Sequence, residues 1–312
     1  MSYRTFLPEG SLIHTDFNNN HTASPEKLRF AMENHLILEG TVMLCDSEHN
    51  LIVDVNGYRG IIPHDETAIG ITDGSTREIA IISRVGKPVS IVINGIDEKN
   101  DEITLMLSRC EAQKRALSHI ISTKSPGDII PAKVTHLEPF GAFVDIGCGN
   151  ISLIGIETIS VSRISHPKDR FKVGTDIFAV ISHIDSENKR ISLSHKELLG
   201  TWSENVSKFQ IGQTVRGIVR GIENYGVFVE LAPNLSGLAE YHDDVRIGDC
   251  VSAYIKSIIP DKMKIKLVII DVFENEFENT VSPEKYFLTS GKINLWKYSP
   301  KECTKKQIFS EF

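Results

Sequence analysis

The sequence predicts a mainly β protein in which three small closed barrels follow one another along the chain. Two segments, residues 126–149 and 211–234, align closely with each other. Each begins with a glycine turn, continues as a strand, and reaches the order aromatic–Gly–small–Phe–Val–acid. Apolar and polar residues alternate with the two-residue period of strands, between short Gly, Asn and Asp turns. Short strands in sets of five, repeated at intervals of roughly 70–90 residues, are typical of small barrels.

The second half of each repeat supports the same interpretation. A further glycine turn, at Gly174 in one copy and Gly248 in the other, leads into another alternating strand. A basic–apolar–polar–Leu strand then closes the unit, at residues 190–193 and 264–267. A third, weaker copy lies upstream, in residues 36–57, 85–97 and 102–109. Three copies of one pattern therefore predict three barrels of one kind.

The repeat boundaries divide the chain into seven predicted segments. They are an N-terminal arm (1–34), a degenerate barrel one (35–109), a helical linker (110–124), barrel two (125–196), a second linker (197–209), barrel three (210–271) and an irregular tail (272–312). Ser24 and Pro25 predict the start of a helix within the arm. Trp202 and Phe209 are expected to anchor the packing of barrel three. The tail could pack on barrel three, serve as an arm for a partner, or lengthen a ligand track.

The composition is that of a soluble protein with real hydrophobic cores. Of 312 residues, 41% are apolar and 24% are charged, which is close to the average for globular domains. The net charge is -7, so a face that contacts nucleic acid must be locally less acidic than the whole chain. The N-terminus has no signal-peptide pattern, and no uncharged apolar run approaches the ~20 residues of a membrane helix. We expect a cytoplasmic protein that does not contact membranes.

Several classes of chemistry have no motif in this sequence. The five cysteines are odd in number and none has Cys-x-x-Cys spacing, so free thiols are expected. The eleven histidines are scattered, and His64 beside Asp65 and Glu66 is interpreted as part of a surface loop. No glycine-rich phosphate loop, nucleophile elbow or dinucleotide fingerprint occurs. We therefore expect no enzyme, no cofactor and no metal site.

The two clear copies resemble the S1 (S-one) domain, an OB-fold RNA-binding module named after the largest protein of the bacterial small ribosomal subunit. The matching motifs are FGAFVD at 140–145 with RISLS at 190–194, and YGVFVE at 225–230 with Gly237 and Leu238. The whole chain is similar to short, three-domain S-one homologues of Firmicutes. This resemblance implies OB-fold barrels and non-enzymatic binding of single-stranded RNA, including mRNA, in translation or mRNA handling on the small ribosomal subunit.

By this resemblance, paired aromatic rings and nearby cations contact the RNA. Phe140 with Phe143, and Tyr225 with Phe228, would stack on bases at ~1–3 kcal/mol per stack. Residues three apart on a regular strand point to opposite faces, so we expect a bulge at Gly141 to bring the rings together. The candidate cations are Lys133, Arg163, His166, Arg170 and Arg190 in barrel two, and Arg216 and Lys264 in barrel three, with His136, Arg220, Lys256, Lys262 and Lys266 as further candidates.

The sequence departs from the family pattern at several positions. Gly155 and Glu240 occupy the position where the family usually has a histidine, and a carboxylate there repels phosphate. In barrel one, His49 and Ile52 fill the aromatic positions and Glu102 replaces the terminal Arg. Barrel one is therefore expected to bind RNA poorly, and the resemblance implies that it docks on the small ribosomal subunit.

Other interpretations of these residues stay open. The phenylalanines could be core residues, and the basic loop at 162–172 and the Lys-rich strand could be ordinary solvated surface. OB barrels also serve as protein-interaction scaffolds, which the acidic net charge favours. An accessory subunit of a ribonuclease or transcription complex is a third possibility. Stacking carries little base information, so low sequence specificity is expected. No DNA specificity is expected either.

Overall fold

The computed structural model describes residues 6–99, 102–242, 244–273 and 286–312. Fifteen strands of this part of the chain form three closed five-stranded barrels. Barrel one consists of β1 (Leu38–Cys45), β2 (Leu51–Val55), β3 (Tyr58–Ile62), β4 (Pro88–Lys99) and β5 (Glu102–Ser108). Barrel two consists of β6 (Ile129–Glu138), β7 (Gly141–Asp145), β8 (Ile151–Gly155), β9 (Asp176–Asp185) and β10 (Arg190–Ser194). Barrel three consists of β11 (Thr214–Glu223), β12 (Gly226–Ala232), β13 (Leu235–Ala239), β14 (Cys250–Ile259) and β15 (Lys264–Phe273).

All three barrels have the same strand order. Within each barrel the strands follow the order first, second, third, fifth, fourth around the closed sheet. The third and fifth strands pair in parallel, whereas the fourth and fifth strands pair antiparallel in every barrel. This order is consistent with the OB-fold, a closed Greek-key barrel of five strands. The prediction of a mainly β chain with closed five-stranded barrels is confirmed.

A glycine turn before the fourth strand recurs in each barrel. The three glycines have φ values of 75°, 88° and 100°, in the left-handed region that a side chain disfavours: Gly86, Gly174 and Gly248. Each glycine N–H donates to a carbonyl of its barrel's first strand, at 2.8, 2.7 and 2.8 Å: Val42, Val134 and Val219. The turn therefore fixes where the fourth strand meets the first.

Short helices lie before and between the barrels, and also within barrels one and two between their third and fourth strands. They are α1 (Asp16–Thr22), α2 (Pro25–Glu33), α3 (Ile79–Ile82), α4 (Arg109–Thr123), α5 (Ile156–Ile159) and α6 (Trp202–Val206). The predicted helix start is confirmed, since the Ser24 hydroxyl accepts from the N–H of Lys27 and Pro25 is in the first turn. The second linker is not one helix: a 3-10 turn (Lys196–Leu199) and α6 are separated at Gly200, whose φ is 81°. Among the described residues, no helix is long and apolar enough to cross a membrane.

The first of two compact units contains the described residues up to Lys124, together with Pro131–Lys133 and Asp145–Ile151. The predicted N-terminal arm is packed within this unit, with Leu28 of α2 fully buried in the core of barrel one. Glu9 is buried as well and pairs with Arg109, at 2.6 Å from Oε1 to Nε and 3.0 Å from Oε2 to Nη2. Burial acts to raise the pKa of Glu9, but the guanidinium outweighs this effect and holds the pKa below its usual value.

The second unit contains the remaining described residues, including barrel three and the tail. Trp202, Trp296 and Tyr298 are buried in one core cluster with the interior of barrel three. The N–H of Trp202 donates to the carbonyl of Tyr298 at 3.1 Å, and the Tyr298 hydroxyl donates to the carbonyl of Asn234. The expectation that Trp202 anchors packing is confirmed. Of the three possibilities for the tail, packing against barrel three is the one observed.

The tail is also more regular than expected. Its strands β16 (Leu295–Lys297) and β17 (Phe309–Glu311) form an antiparallel two-stranded sheet. Ile293 N–H donates to the carbonyl of Gly127 at 2.9 Å, so the tail also contacts the turn that leads into barrel two. Short strands of this kind lack an alternating pattern, which explains why the sequence predicted an irregular segment. Residues 274–285 of the predicted tail lie outside the described residues.

His195 is a buried titratable group in the second unit. Its ring is fully buried, with Nδ1 3.0 Å from the carbonyl oxygen of Ile159 and Nε2 3.1 Å from the hydroxyl of Tyr286. Phe171 lies edge-on at 4.8 Å between ring centroids. Burial lowers the pKa of His195 to about 4, against about 6.5 in the unfolded chain. The imidazole is therefore neutral in the folded protein at neutral pH.

This buried histidine predicts a loss of stability on acidification. Between pH 6.5 and pH 4 the unfolded chain binds a proton that the folded chain does not, so the free energy of unfolding falls as the pH falls. We expect the second unit to lose about 2 kcal/mol between about pH 7.5 and about pH 5 from this group alone. Urea unfolding followed by tryptophan fluorescence measures it, because both tryptophans, Trp202 and Trp296, lie in this core. The pH dependence should flatten in His195→Gln, and an equally steep dependence in that variant would contradict this assignment.

Candidate nucleic-acid interface

The two predicted aromatic pairs form nearly identical ring contacts. Phe140 and Phe143 meet edge to face, with centroids 5.9 Å apart and an interplanar angle of 89°. Tyr225 and Phe228 meet at 6.1 Å and 88°. The first ring of each pair is 54% and 68% exposed, respectively, so it is a surface residue and not part of a core. Barrels two and three therefore present the same pair of rings to solvent.

The rings come together for a different reason than predicted. Phe140 and Tyr225 lie in the turns before β7 and β12, so they are not held to the alternation of the strand. The expected bulge at the glycine is wrong for barrel three, where Gly226 pairs in register with Glu223 and the register shift lies in β11 instead. Glycine is needed for close packing: a Cβ on Gly226 would lie 2.3 Å from a carbonyl oxygen of β13. At Gly141 the same distance to a carbonyl of β8 would be 2.5 Å.

A cleft of about 950 Å³ opens over the aromatic pair of barrel three. Tyr225 and Phe228 line it, together with residues 161–165 from barrel two and Tyr298 and Ile308 from the tail. One acidic side chain, Glu223, also lines the cleft. The cationic side chains of the lining are Arg163, Arg220, Lys262, Lys264 and Lys306. The cleft therefore combines exposed rings with an excess of positive charge, although the whole chain carries -7.

A buried ionic network lies beside this cleft. The guanidinium of Arg170, 3% exposed, pairs with the carboxylate of Glu230, 5% exposed. Arg220 reaches the same carboxylate at 2.5 Å and Asp169 at 3.2 Å. The network joins the loop after β8 to β11 and β12 of barrel three. Arg170 was a candidate RNA contact, and its position corrects this: the side chain is buried and neutralised, so we assign it to the joint between the two barrels.

The remaining predicted cations lie outside the lining of the cleft. Lys133 is half-buried and its Nζ donates to the carbonyl of Glu9 at 3.0 Å. His166 caps a 3-10 turn, since its Nδ1 accepts from the N–H of Lys168 at 3.1 Å. Arg216 places Nε 2.7 Å from the sulfur of Cys250. Arg190 is exposed at the start of β10, which lies on the opposite side of β8 from β7. Of the predicted cations, Arg163, Arg220, Lys262 and Lys264 line one cleft with the aromatic pair of barrel three.

Sequence reasoning missed two groups of residues. Lys306 lies 33 residues beyond Phe273, the end of barrel three, in a segment without a family pattern, and nothing in the sequence assigned it to the cleft. The interpretation of the histidines as scattered is wrong for two of them. His49 and His64 converge on Glu78 in barrel one, with donor atoms all within 4.8 Å of one another. Their separation along the chain gives no metal-site spacing, so only the fold brings them together.

Comparison with known proteins gives a family and a set of relatives. Residues 123–196 match the model of the S1 RNA binding domain. The small ribosomal subunit protein bS1 of Staphylococcus aureus is 29% identical over 279 residues, which cover 84% of this chain and 69% of that protein. The bS1 of Leuconostoc lactis is 30% identical over 232 residues, covering 70% of this chain and 52% of that protein. This chain thus spans between half and about two thirds of the length of these relatives.

One solved structure to which this chain is similar is a multidomain protein with nucleic acid binding domains from Streptococcus pneumoniae. It covers 78% of this chain at 14% identity with a TM-score of 0.24, and at that score it carries no weight for fold or function. The assignment depends instead on the domain match and on the bS1 relatives, which are non-enzymatic kinds of protein. Residues 123–196 thus match the S1 RNA binding domain, and the chain is similar to the small ribosomal subunit protein bS1 of Staphylococcus aureus over most of its length.

Proposed function

We propose that this protein binds single-stranded RNA, without catalysis, in translation or mRNA handling in the cytoplasm. The observation that carries this proposal is the cleft of barrel three, in which Tyr225 and Phe228 lie among five cationic side chains. Single-stranded RNA presents unstacked bases and a chain of phosphates, and proteins hold it by stacking rings on the former and placing cations near the latter. The cleft offers both groups in one place.

The local charge of the cleft supports this proposal against a general acidic scaffold. A net charge of -7 repels phosphates at long range, but exposed charges more than about 8–10 Å away are largely screened at physiological salt. The five cations and one carboxylate of the cleft therefore dominate the field that a bound strand experiences. Arg220 is partly neutralised by Glu230 and Asp169, which leaves Arg163, Lys262, Lys264 and Lys306 as the proposed phosphate contacts.

Barrel two extends the proposed track. Its loop contributes Arg163 to the cleft of barrel three, and its own pair, Phe140 and Phe143, adds a second stacking platform within the same compact unit. Two weak modules on one chain gain affinity through effective concentration, because the second contact forms without loss of further translational freedom. Low sequence specificity follows, since stacking tolerates every base.

Barrel one has a different proposed role. It has no aromatic pair, with His49 and Ile52 at the corresponding positions, and it exposes Met43 and Leu44 at 59% and 47% on its first strand. Without a pair of stacking rings, barrel one lacks the platform on which single-stranded RNA is held, and a protein contact is the better match. We propose that barrel one contacts a protein of the small ribosomal subunit, as the bS1 relationship suggests.

The test is a titration of a labelled uridine-rich single strand at several salt concentrations. Each phosphate neutralised in a single strand contributes about -0.7 to the slope of log affinity against log salt. We therefore expect Lys262→Gln with Lys264→Gln to reduce that slope by about 1.4 in magnitude and to weaken binding at low salt. A matched control is Lys297→Gln with Lys301→Gln, which removes two exposed charges of the tail outside the cleft. An RNA duplex of the same length is the ligand control.

Two outcomes contradict the proposal. If the protein binds duplex as well as single strand, stacking on exposed bases has no part in binding. If the affinity is weak and independent of salt, phosphate contact is absent, and a protein-interaction scaffold becomes the better explanation. If the Lys262/Lys264 variant and the Lys297/Lys301 control have equal slopes of log affinity against log salt, the phosphate contacts lie outside this cleft.

A further inference from the structure

Three potential metal ligands converge at one end of barrel one, in the first compact unit. His49 lies in the turn between β1 and β2, His64 begins a 3-10 turn (His64–Glu66) after β3, and Glu78 precedes α3. The Nδ1 of His49 is 2.9 Å from Oε2 of Glu78, and the Nε2 of His64 is 2.9 Å from Oε1. The two rings have centroids 5.9 Å apart. All three side chains are between 39% and 47% exposed, so solvent and ions reach them.

A hydrogen-bonded turn holds both histidines in place. The carboxylate of Asp46 accepts from the N–H of Glu48 and of Asn50, each at 2.9 Å, and from the Asn50 side-chain amide at 3.0 Å. This turn fixes His49 in a left-handed conformation with φ of 62°, which a non-glycine residue adopts only when its surroundings enforce it. The side-chain oxygen of Asn50 also accepts from the N–H of His64 at 3.0 Å. One turn therefore fixes the backbone at both histidines.

The chemistry of these donors selects a class of cation. Two imidazole nitrogens and one carboxylate oxygen are a ligand set of zinc sites that keep an open fourth position. Ligands at about 2.0–2.1 Å from a tetrahedral ion lie about 3.3 Å apart, between the 2.9 Å contacts and the 4.8 Å limit observed for this cluster. Ca²⁺ and Mg²⁺ prefer oxygen ligands throughout, so they fit poorly. Imidazole ligands favour Zn²⁺ and its transition-metal neighbours.

We propose that His49, His64 and Glu78 form a binding site for a divalent transition-metal cation, with Zn²⁺ as the best match. The open fourth position would take water or an oxygen of an anionic ligand. His49 occupies the position at which barrels two and three carry the first aromatic ring, Phe140 and Tyr225. The site therefore lies on the part of barrel one that corresponds to the aromatic pairs, and it makes this barrel chemically distinct from the other two.

The test is calorimetric titration of the metal-stripped full chain with ZnCl₂ alone. We expect one Zn²⁺ ion per chain, and we expect His49→Ala with His64→Ala to weaken this binding by more than about 100-fold, because loss of ligands exceeds the ~10–100-fold effect of their supporting residues. Glu78→Gln removes the charged ligand and should also weaken binding. Asn50→Ala leaves all three ligands but loosens the turn, and should weaken binding by about 10–100-fold.

A matched control separates this site from adventitious binding to surface histidines. His136 and His183 are exposed in barrel two, and His136 lies 2.7 Å from Glu138. Within the described part of the chain, this His–Glu pair has no third ligand beside it. The variant His136→Ala with His183→Ala should keep full Zn²⁺ affinity. The proposal is overturned if the wild type takes up no Zn²⁺ at about 100 µM, a concentration that would fill a site with a Kd of about 1 µM. It is equally overturned if the His49/His64 variant binds as the wild type does, since the three residues would then be an ordinary exposed ion-pair cluster.

Discussion

Replacing Tyr225 and Phe228 together by alanine is expected to lower the affinity for single-stranded RNA at least about 30-fold. Each base–aromatic stack contributes ~1–3 kcal/mol, and two lost stacks at the lower bound amount to about 2 kcal/mol, where 1.4 kcal/mol corresponds to a factor of ten. Both rings line the charged cleft, so a bound base would lose its platform while the cations remain. Fluorescence titration with a uridine-rich strand measures the loss, and the salt slope should stay unchanged.

The corresponding change in barrel two distinguishes one binding surface from two. If the cleft of barrel three is the main site, Phe140→Ala with Phe143→Ala should weaken RNA binding less than the Tyr225/Phe228 double variant does. If the two barrels share one track, the two double variants should weaken RNA binding equally. Tyr254→Ala is the matched control, because Tyr254 is 37% exposed on β14 and lies outside the lining of the cleft. Binding by both double variants at wild-type strength would exclude the aromatic pairs as the RNA contact. Tryptophan fluorescence from the core of the second unit verifies folding in each case.

Replacing Glu230 by glutamine is expected to lower the free energy of unfolding of the second unit by about 3–5 kcal/mol. The carboxylate neutralises two guanidinium groups, Arg170 and Arg220, whose side chains are 3% and 10% exposed. Removal of one partner from a buried ionic network leaves charge uncompensated in a medium of low polarity, and this penalty exceeds the attraction that was lost. Urea unfolding followed by tryptophan fluorescence measures the change, because both tryptophans lie in the core of the second unit.

An exposed ion pair in the same barrel gives the matched control for this prediction. Lys256 and Glu240 are 4.0 Å apart with side chains 61% and 88% exposed, and Glu240→Gln should change stability by less than about 1 kcal/mol. A second variant tests the mechanism: Arg170→Met combined with Glu230→Gln should cost less than the sum of the single changes, since it removes charge from both sides. If Glu230→Gln lowers the free energy of unfolding by no more than Glu240→Gln does, the buried network contributes little to stability.

Repeated local patterns are what the sequence determined. Alternation, glycine turns and the recurring aromatic–Gly–small–Phe–Val–acid motif predicted closed five-stranded barrels, because a strand's two faces and its turns depend on residues a few positions apart. The S1 resemblance came from the same local motifs. The start of α2 and the packing role of Trp202 were predictable as well, since a helix cap and a large apolar ring act through their immediate surroundings.

Partners far apart in the sequence were decided only by the tertiary structure. The motif acid recurs as Asp145 in barrel two and Glu230 in barrel three, yet Asp145 accepts backbone N–H groups, from Glu9 at 2.7 Å and Gly147 at 2.8 Å, while Glu230 binds arginines. Arg170 looked like a phosphate contact and is instead buried against Glu230.

The aromatic pairs, the charged cleft and the histidine cluster show the same division. Each depends on side chains from separate elements: a turn before a strand, a loop of the preceding barrel, a distant tail, or three connections at one end of a barrel. A sequence records which donors and charges exist, and its short-range pattern determines the strands that carry them. Which of these side chains come into contact depends on the closure of the sheet into a barrel and on the strand register. Both are set by the packing of the whole barrel.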